Sequence, residues 1–155
     1  MSARRVALKI DVCTREGMRR GVPALLAALR RARVGASFFL AFGPDCSGRA
    51  IVRLLDPQFR RKMARSGAVS LYGWRTLLSG TLLPARAIAN GFPDLVRAIA
   101  GDGHEVAIHG WNHRRWQDRV VRLAEPEVHA ELERAVSVDG LRPSTRARMW
   151  LAKFL

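Results

Sequence analysis

The run ASFFLAF at positions 36–42 decides the fold class of this chain. It is short, apolar and bounded by glycines, which is the pattern of a strand buried on both faces. The preceding segment, GVPALLAALRRARV, spaces its apolar residues as a helix does, and Pro23 suits a first helical turn. Before it, VALKID at 6–11 predicts another strand. The chain therefore opens with the β-α-β unit of parallel α/β folds.

A third strand is predicted further along. The segment FPDLVRAIA at 92–100 has a helical pattern that stops at Gly101 and Gly103, and HEVAIHG at 104–110 has the pattern of a strand. Between the second and third strands lies an insertion at 47–83, which mixes helical spacing with an apolar stretch punctuated by glycine. We therefore expect about three βα units with an insertion before the third.

These units are expected to form one partial domain over residues 1–118, followed by a basic tail at 119–155. The tail contains EPEVHAELERAVSV, which has a helical pattern but no further strand. The chain has 155 residues, of which 48% are hydrophobic, so its length and composition suit one packed core.

The formal net charge is +14, and arginine supplies most of the excess. A field of this sign attracts phosphates, nucleic acids or acidic lipid headgroups, although arginine at ordinary solvated positions explains the composition equally well. Two cysteines are too few for a disulfide-stapled secreted domain. The sequence has no apolar run of signal-peptide length at its start and none of about 20 residues elsewhere. We expect a cytoplasmic chain with at most peripheral membrane contact.

The residues that can carry chemistry follow the predicted strands, as is usual in parallel α/β folds. The first strand leads into Asp11 and Cys13, and the third leads into His109, with His113 four positions later. On a helical turn such a pair of histidines shares one face and can bind one metal ion. Three other residues lack this context and are expected to be structural or solvated: His104, His129 and Cys46.

Asp11 with Cys13 two positions later, together with the pair His109 and His113, resembles the pattern of the polysaccharide deacetylase family with its NodB-type domain. The likeness extends through IDVCTREGMRRGVP, FFLAFGPDCSGRA, DPQFRRKMARSGAVSLYGWRTLLSGT and HEVAIHGWNHRRWQD, and covers about residues 6–118. It implies the amino-terminal part of a distorted (β/α) barrel. It also implies a metal-dependent hydrolase of a carbohydrate C–N (amide) bond.

The resemblance also implies roles for single residues. Asp11 matches the family's catalytic base, and His109 and His113 match its two histidine ligands for a divalent metal, for which we expect zinc. Cys13 stands where the family has a metal-binding aspartate. A thiolate is a good zinc ligand, but it donates more charge and would weaken the Lewis acidity of the metal. The sequence therefore leaves open a Cys-His-His zinc site and a weakened or empty one.

The likeness is densest to family members that remove formate from an arabinose sugar carried on undecaprenyl phosphate, a step in lipid A modification that leads to resistance to cationic peptides. It implies an undecaprenyl-phosphate-linked sugar as the substrate. In the insertion, Arg60, Arg61, Lys62 and Arg65 precede an apolar stretch that contains Trp74. Such a segment suits the anionic surface of the inner membrane. The alternative is an ordinary helix pair that covers the barrel.

Two motifs of the family are not found after residue 118: the arginine that orients the catalytic base, and the distal histidine that serves as general acid. We therefore expect a truncated copy of the family domain. A catalytically inactive remnant and a basic protein that binds anions or nucleic acid remain the alternatives. The sequence carries no zinc-finger, helix-turn-helix or RNP-like motif and few aromatic residues, so no nucleic-acid partner is expected.

Overall fold

The computed structural model describes residues 6–49, 73 and 75–136. Its centre is a parallel sheet of three strands, β1 (Lys9–Val12), β2 (Ser37–Leu40) and β3 (Glu105–Ile108), with β2 in the middle. In the register of the sheet, Phe38 lies between Ile10 and Val106. The predicted α/β class is confirmed, and the sheet fits the amino-terminal part of a NodB-type barrel. Each strand is shorter than the sequence pattern predicts.

Helices connect the strands and follow the last one. The first connection is a π-helical turn, Gly17–Gly21, that continues into α1 (Val22–Ala32), and the second ends in a 3-10 turn, Ala89–Gly91, and α2 (Pro93–Gly101). After β3 the chain forms α3 (His113–Arg119), a 3-10 turn (Val120–Arg122) and α4 (Glu125–Val136). The helices predicted before β2, before β3 and near the end of the chain are therefore confirmed.

Helix α1 ends before the glycine that the sequence suggests as its end. Val22, Leu26 and Leu29 are buried at helical spacing, as predicted. The residue after the helix, Arg33, has the left-handed conformation with φ 54°, and its backbone N–H donates to the Arg30 carbonyl. Arg33 thus does what glycine usually does at a helix end, and Gly35 lies in the link to β2.

The hydrophobic core forms around β2. Phe38, Phe39 and Leu40 are all buried, so both faces of the central strand are covered, as is typical of a parallel sheet. Ile99 of α2 and Ala135 of α4 are fully buried in the same core. Burial of each large apolar side chain contributes about 2 kcal/mol of stability. The core therefore reaches as far as α4.

Beyond β2 the backbone continues between its two neighbours. The Ala41 N–H donates to the Val12 carbonyl over 3.1 Å, and the Gly43 N–H donates to the Trp111 carbonyl over 2.9 Å. These bonds bring the carboxyl ends of all three strands to one edge of the sheet. The predicted insertion at 47–83 lies largely outside the described residues, and the domain boundary at 118 stays a prediction.

Candidate metal centre

The first junction of the site follows β1. Side chains alternate along a strand, so Asp11 and Cys13 lie on one side while Val12 enters the core on the other. The chain then turns into the helical segment, where the Gly17 N–H donates to the Thr14 hydroxyl over 3.0 Å. This local turn fixes the direction in which the backbone leaves Cys13. We call residues 13–17 the β1 junction.

The second junction follows β3 and covers residues 109–113, which we call the β3 junction. His109 comes directly after the strand, and Gly110 turns the backbone with φ 99°, a conformation that favours glycine. The Asn112 side chain accepts a hydrogen bond from the Arg115 N–H over 3.1 Å and so caps α3, whose first residue is His113. The expectation that both histidines share one helical turn is therefore wrong.

The two histidines nevertheless meet, because the glycine turn folds the start of the helix back over the end of the strand. Their rings stack with centroids 4.7 Å apart and an angle of 25° between the planes. The Cys13 thiol joins them from the β1 junction. One ligand atom from each of Cys13, His109 and His113 lies within 4.8 Å of the other two. We call these three residues the Cys-His-His cluster.

Burial keeps the cluster uncharged. It raises the pKa of the Cys13 thiol to about 12, and the negative charge of Asp11 raises it further. It lowers the pKa of His109 to about 4, with His113 acting in the same direction and Asp11 opposing. Burial also lowers the pKa of His113, and Asp11 again opposes. At neutral pH both imidazoles therefore keep the lone pairs that a metal ion needs.

These residues fit a divalent metal such as zinc. Sulfur and imidazole nitrogen are its usual donors, and three protein ligands leave positions for water and substrate. The His113 Nδ1 atom is buried and has no hydrogen-bond partner among the described residues. A buried polar atom without a partner is costly, and coordination would remove that cost. The thiol would lose its proton on binding, as coordinating thiols do.

Asp11 lies beside the cluster and remains open to solvent, with 38% of its side chain exposed. The Lys9 Nζ contacts its two carboxylate oxygens at 3.0 and 3.1 Å, and the same ammonium group lies over the Phe39 ring. Sequence analysis missed Lys9. The signal was its position two residues before Asp11, which places both side chains on one side of the strand.

The model of the polysaccharide deacetylase family matches residues 1–138. The chain belongs to this family. It is 43% identical over 130 residues to the probable 4-deoxy-4-formamido-L-arabinose-phosphoundecaprenol deformylase ArnD of Shewanella sediminis, an alignment that covers 84% of this chain and 43% of the relative. The probable ArnD deformylase of Wigglesworthia glossinidia brevipalpis is 35% identical over 112 residues, covering 72% of this chain and 39% of the relative. The chain thus spans about two fifths of the length of these relatives.

In this polysaccharide deacetylase family member, two buried carboxylates hold the junctions. Asp45 accepts from the Arg15 N–H of the β1 junction over 2.7 Å. Glu131, from α4, accepts from the Asn112 N–H over 3.1 Å and from the Arg115 guanidinium over 3.0 Å. Sequence analysis assigned no role to Asp45 or to Glu131. Glu131 lies 19 residues after Asn112, so no local sequence pattern indicates this contact.

A cleft of about 300 Å³ opens beside the Cys-His-His cluster rather than over it, because the cluster residues are not among those that line it. Its lining combines residues of the segment 15–19 and Asp45 with several residues of the segment 75–86. The cleft and the cluster therefore share the β1 junction, which contributes Cys13 to the cluster and Arg15 and Glu16 to the cleft.

The other predicted residues divide into three groups. His104 and Cys46 are buried and His129 is exposed, and none of the three belongs to the cluster. The residues predicted to contact a membrane lie outside the described residues: Arg60, Arg61, Lys62, Arg65 and Trp74. Among the helices of the described part of the chain, none has the length and apolar character that a membrane crossing requires.

Proposed function

We propose that this chain carries the metal centre of a hydrolase that cleaves a carbohydrate amide, with a formamido-arabinose on undecaprenyl phosphate as the substrate class. Membership of the polysaccharide deacetylase family supports the reaction class, and two relatives that are named as probable deformylases support the substrate. The observation that carries the proposal is the convergence of Cys13, His109 and His113 beside Asp11.

Each residue has a chemical task in this proposal. Cys13, His109 and His113 would hold zinc, which supplies Lewis acidity that polarises an amide carbonyl and lowers the pKa of water. Asp11 would accept the proton of the attacking water, since its carboxylate is exposed and its charge acts on all three residues of the cluster. Lys9 orients that carboxylate through its ion pair. The burial of His109 keeps the imidazole neutral and available as a ligand.

The first experiment is elemental analysis of the purified chain, as wild type and as Cys13→Asp. We expect one zinc per chain in the wild type. Metal in Cys13→Asp alone would mean that the histidine pair is sound and that the cysteine disables the site. Metal in neither protein would contradict the proposal and favour a catalytically inactive remnant.

The reaction is tested separately by formate release from the lipid-linked formamido sugar. Asp11→Asn keeps the size of the side chain but removes the base, so we expect unchanged zinc content and a loss of roughly 10²–10⁴-fold in rate. Equal rates for the two proteins would exclude Asp11 as the base. A zinc-loaded wild type that releases no formate would show that the site binds metal without hydrolysis.

We further propose peripheral contact with the inner membrane through the basic segment of the insertion. The support is the sequence of Arg60, Arg61, Lys62, Arg65 and Trp74. At low salt the chain should co-sediment with phosphatidylethanolamine vesicles that contain phosphatidylglycerol. It should not co-sediment with vesicles that lack this anionic lipid. Replacement of the four basic residues by glutamine should reduce sedimentation, and an unchanged result would exclude this segment as the contact.

A further inference from the structure

The cleft beside the Cys-His-His cluster has a lining rich in arginine. Its volume, about 300 Å³, is at the lower end of the range for small-molecule sites. Four arginines and two carboxylates line it, together with two hydroxyl side chains and an apolar wall. The lining residues that matter for the argument are Arg15, Arg19, Arg75, Arg86, Thr76 and Ser79.

The two carboxylates of the lining are engaged by other groups. Glu16 accepts two hydrogen bonds from the Arg19 guanidinium, at 3.0 and 2.6 Å. Asp45 accepts the backbone N–H groups of Arg15 and Ser47 at 2.7 and 3.0 Å. Both acids are thus already stabilised within the protein. Positive charge is in excess in the cleft, because arginines outnumber acids four to two.

Arg15 is held firmly in the wall of the cleft. Its Nη1 donates to the Ala87 carbonyl over 2.6 Å, and its guanidinium lies 4.5 Å from the centroid of the Phe92 ring. Neither group carries a formal negative charge, so the full charge of Arg15 remains available to a ligand. Gly91 makes room for this arrangement, since a Cβ at that position would overlap the Arg15 Nη1.

Hydroxyl groups complete the lining. Thr76 and Ser79 are both buried. The Ser79 hydroxyl already donates its one proton to the Asp45 carbonyl over 2.7 Å, so Thr76 supplies the hydroxyl donor for an anion. Guanidinium groups with adjacent hydroxyl groups are a common receptor for phosphate oxygens. Leu83 and Pro84 form an apolar wall next to them. The lining therefore suits an anion that is attached to a less polar group.

The cleft and the cluster are linked through Cys13, whose pKa is raised by the charge of Asp45 in the lining of the cleft. Arg15 follows Cys13 by two residues and is fixed to Asp45, which lines the cleft. In a glycosyl phosphate, the sugar ring separates a nitrogen on C4 from the phosphate on C1. Such a molecule offers one amide for the cluster and one phosphate for the cleft.

We propose that the arginine-lined cleft binds the phosphate group of a glycosyl phosphate. This inference rests on the proposed function, because it takes this phosphate to be the one that links the sugar to the lipid. Arg86 is the residue best suited to a test. Its side chain is exposed. Its backbone carbonyl accepts from the Asp45 N–H over 2.9 Å, and this bond does not depend on the side chain.

The test is calorimetric titration of the metal-free full chain with L-arabinose 1-phosphate, with L-arabinose and inorganic phosphate as comparison ligands. We expect the sugar phosphate to bind more tightly than either comparison ligand, and we expect its affinity to fall as salt is raised. Arg86→Ala should weaken binding about tenfold, and Arg86→Lys should restore only part of the loss, because lysine lacks the planar fork of donors.

Arg31→Ala is the matched control, since Arg31 is an exposed residue of α1 outside the cleft and its removal lowers the net charge equally. Equal losses in Arg86→Ala and Arg31→Ala would overturn the proposal in favour of a general charge effect. Absence of binding by the wild type would overturn it too. Equal affinity for inorganic phosphate would overturn the assignment to a sugar phosphate. Because metal is absent throughout, failure of the metal centre leaves this result unaffected.

Discussion

The β1 and β3 junctions are built on the same plan but held by different parts of the molecule. In each, a buried carboxylate from a later segment accepts a backbone N–H: Asp45 accepts from Arg15, and Glu131 accepts from Asn112. Asp45 belongs to the segment that leaves the central strand, so the sheet itself fixes the β1 junction. Glu131 belongs to α4, so the β3 junction depends on the docking of a helix.

The cysteine ligand and the two histidine ligands are therefore held in position by different parts of the protein. Arg115 forms ion pairs with Glu127 and Glu131 of α4, which binds the start of α3 to that helix. The thiol therefore has a rigid support, and the two histidines have one that depends on a distant segment. Metal affinity should respond to changes on α4 and at the sheet edge in different ways.

The largest effect is expected from removal of a ligand on either side. Cys13→Ala and His113→Ala should each lower zinc affinity by at least about a hundredfold, which exceeds the 10–100-fold typical of residues that support a ligand. Competition with a chelator of known affinity measures the change. His129→Ala, which removes an exposed histidine on α4, should leave the affinity unchanged. Equal affinities in Cys13→Ala and wild type would remove the β1 junction from the site.

A change between the junctions should affect the fold. Gly43 lies against the β3 junction, and a Cβ there would overlap the Trp111 carbonyl oxygen. Because backbone atoms cannot move away cheaply, Gly43→Ala should lower the free energy of unfolding by about 2 kcal/mol. Urea denaturation measures it. The control is Gly35→Ala, where a Cβ meets nothing within 4 Å. Equal stability of the two variants would show that the backbone at Trp111 can move away from position 43 at little cost.

The stability of the metal-free chain should decrease as the pH is lowered, because His109 of the β3 junction is buried as a neutral imidazole. Burial holds the pKa of His109 near 4, below the ordinary value of 6.5, so the unfolded chain binds more protons between these values. The stability contributed is present above pH 6.5 and is lost as pH falls toward 4. From pH 7.5 to 5.5 the loss from His109 should be about 1.4 kcal/mol.

Urea denaturation in the presence of a chelator measures this slope. His109→Gln should flatten it, whereas His129→Gln should not, since His129 is exposed. A wild-type stability that is constant between pH 7.5 and 5.5 would contradict the neutral burial of the imidazole.

The smallest effect compares the two carboxylates directly. Glu131→Gln weakens the hold of α4 on the β3 junction, and we expect zinc affinity to fall about tenfold. Its matched control, Glu133→Gln, changes an exposed residue of the same helix. Asp45→Asn should lower the free energy of unfolding by about 1 kcal/mol, because one partly buried N–H loses a charged acceptor. Equal losses of zinc affinity in Glu131→Gln and Glu133→Gln would show that the contact of Glu131 with the β3 junction does not support the metal site.

Local patterns were sufficient to predict the three strands, the helices α1, α2 and α4, and the residues of the cluster. The apolar run that contains Phe38 is too short for a buried helix and is bounded by glycines, which favours a central strand, and the apolar spacing of α1 allows one helix face to pack. Asp11, Cys13 and His109 were found because parallel strands end at one edge of a sheet. Helix ends were less predictable, since Arg33 adopts a conformation that its side chain does not favour.

The sequence by itself determined the α/β class, the family and the identity of the candidate ligands, since these depend on short-range periodicity and motif. Tertiary structure decided how the histidines meet, through a strand end and a glycine turn instead of a shared helix. It also decided the roles of Asp45 and Glu131 and the lining of the arginine-rich cleft. These contacts join residues far apart in the chain, and hydrogen bonds of that kind leave no periodic signal in a sequence.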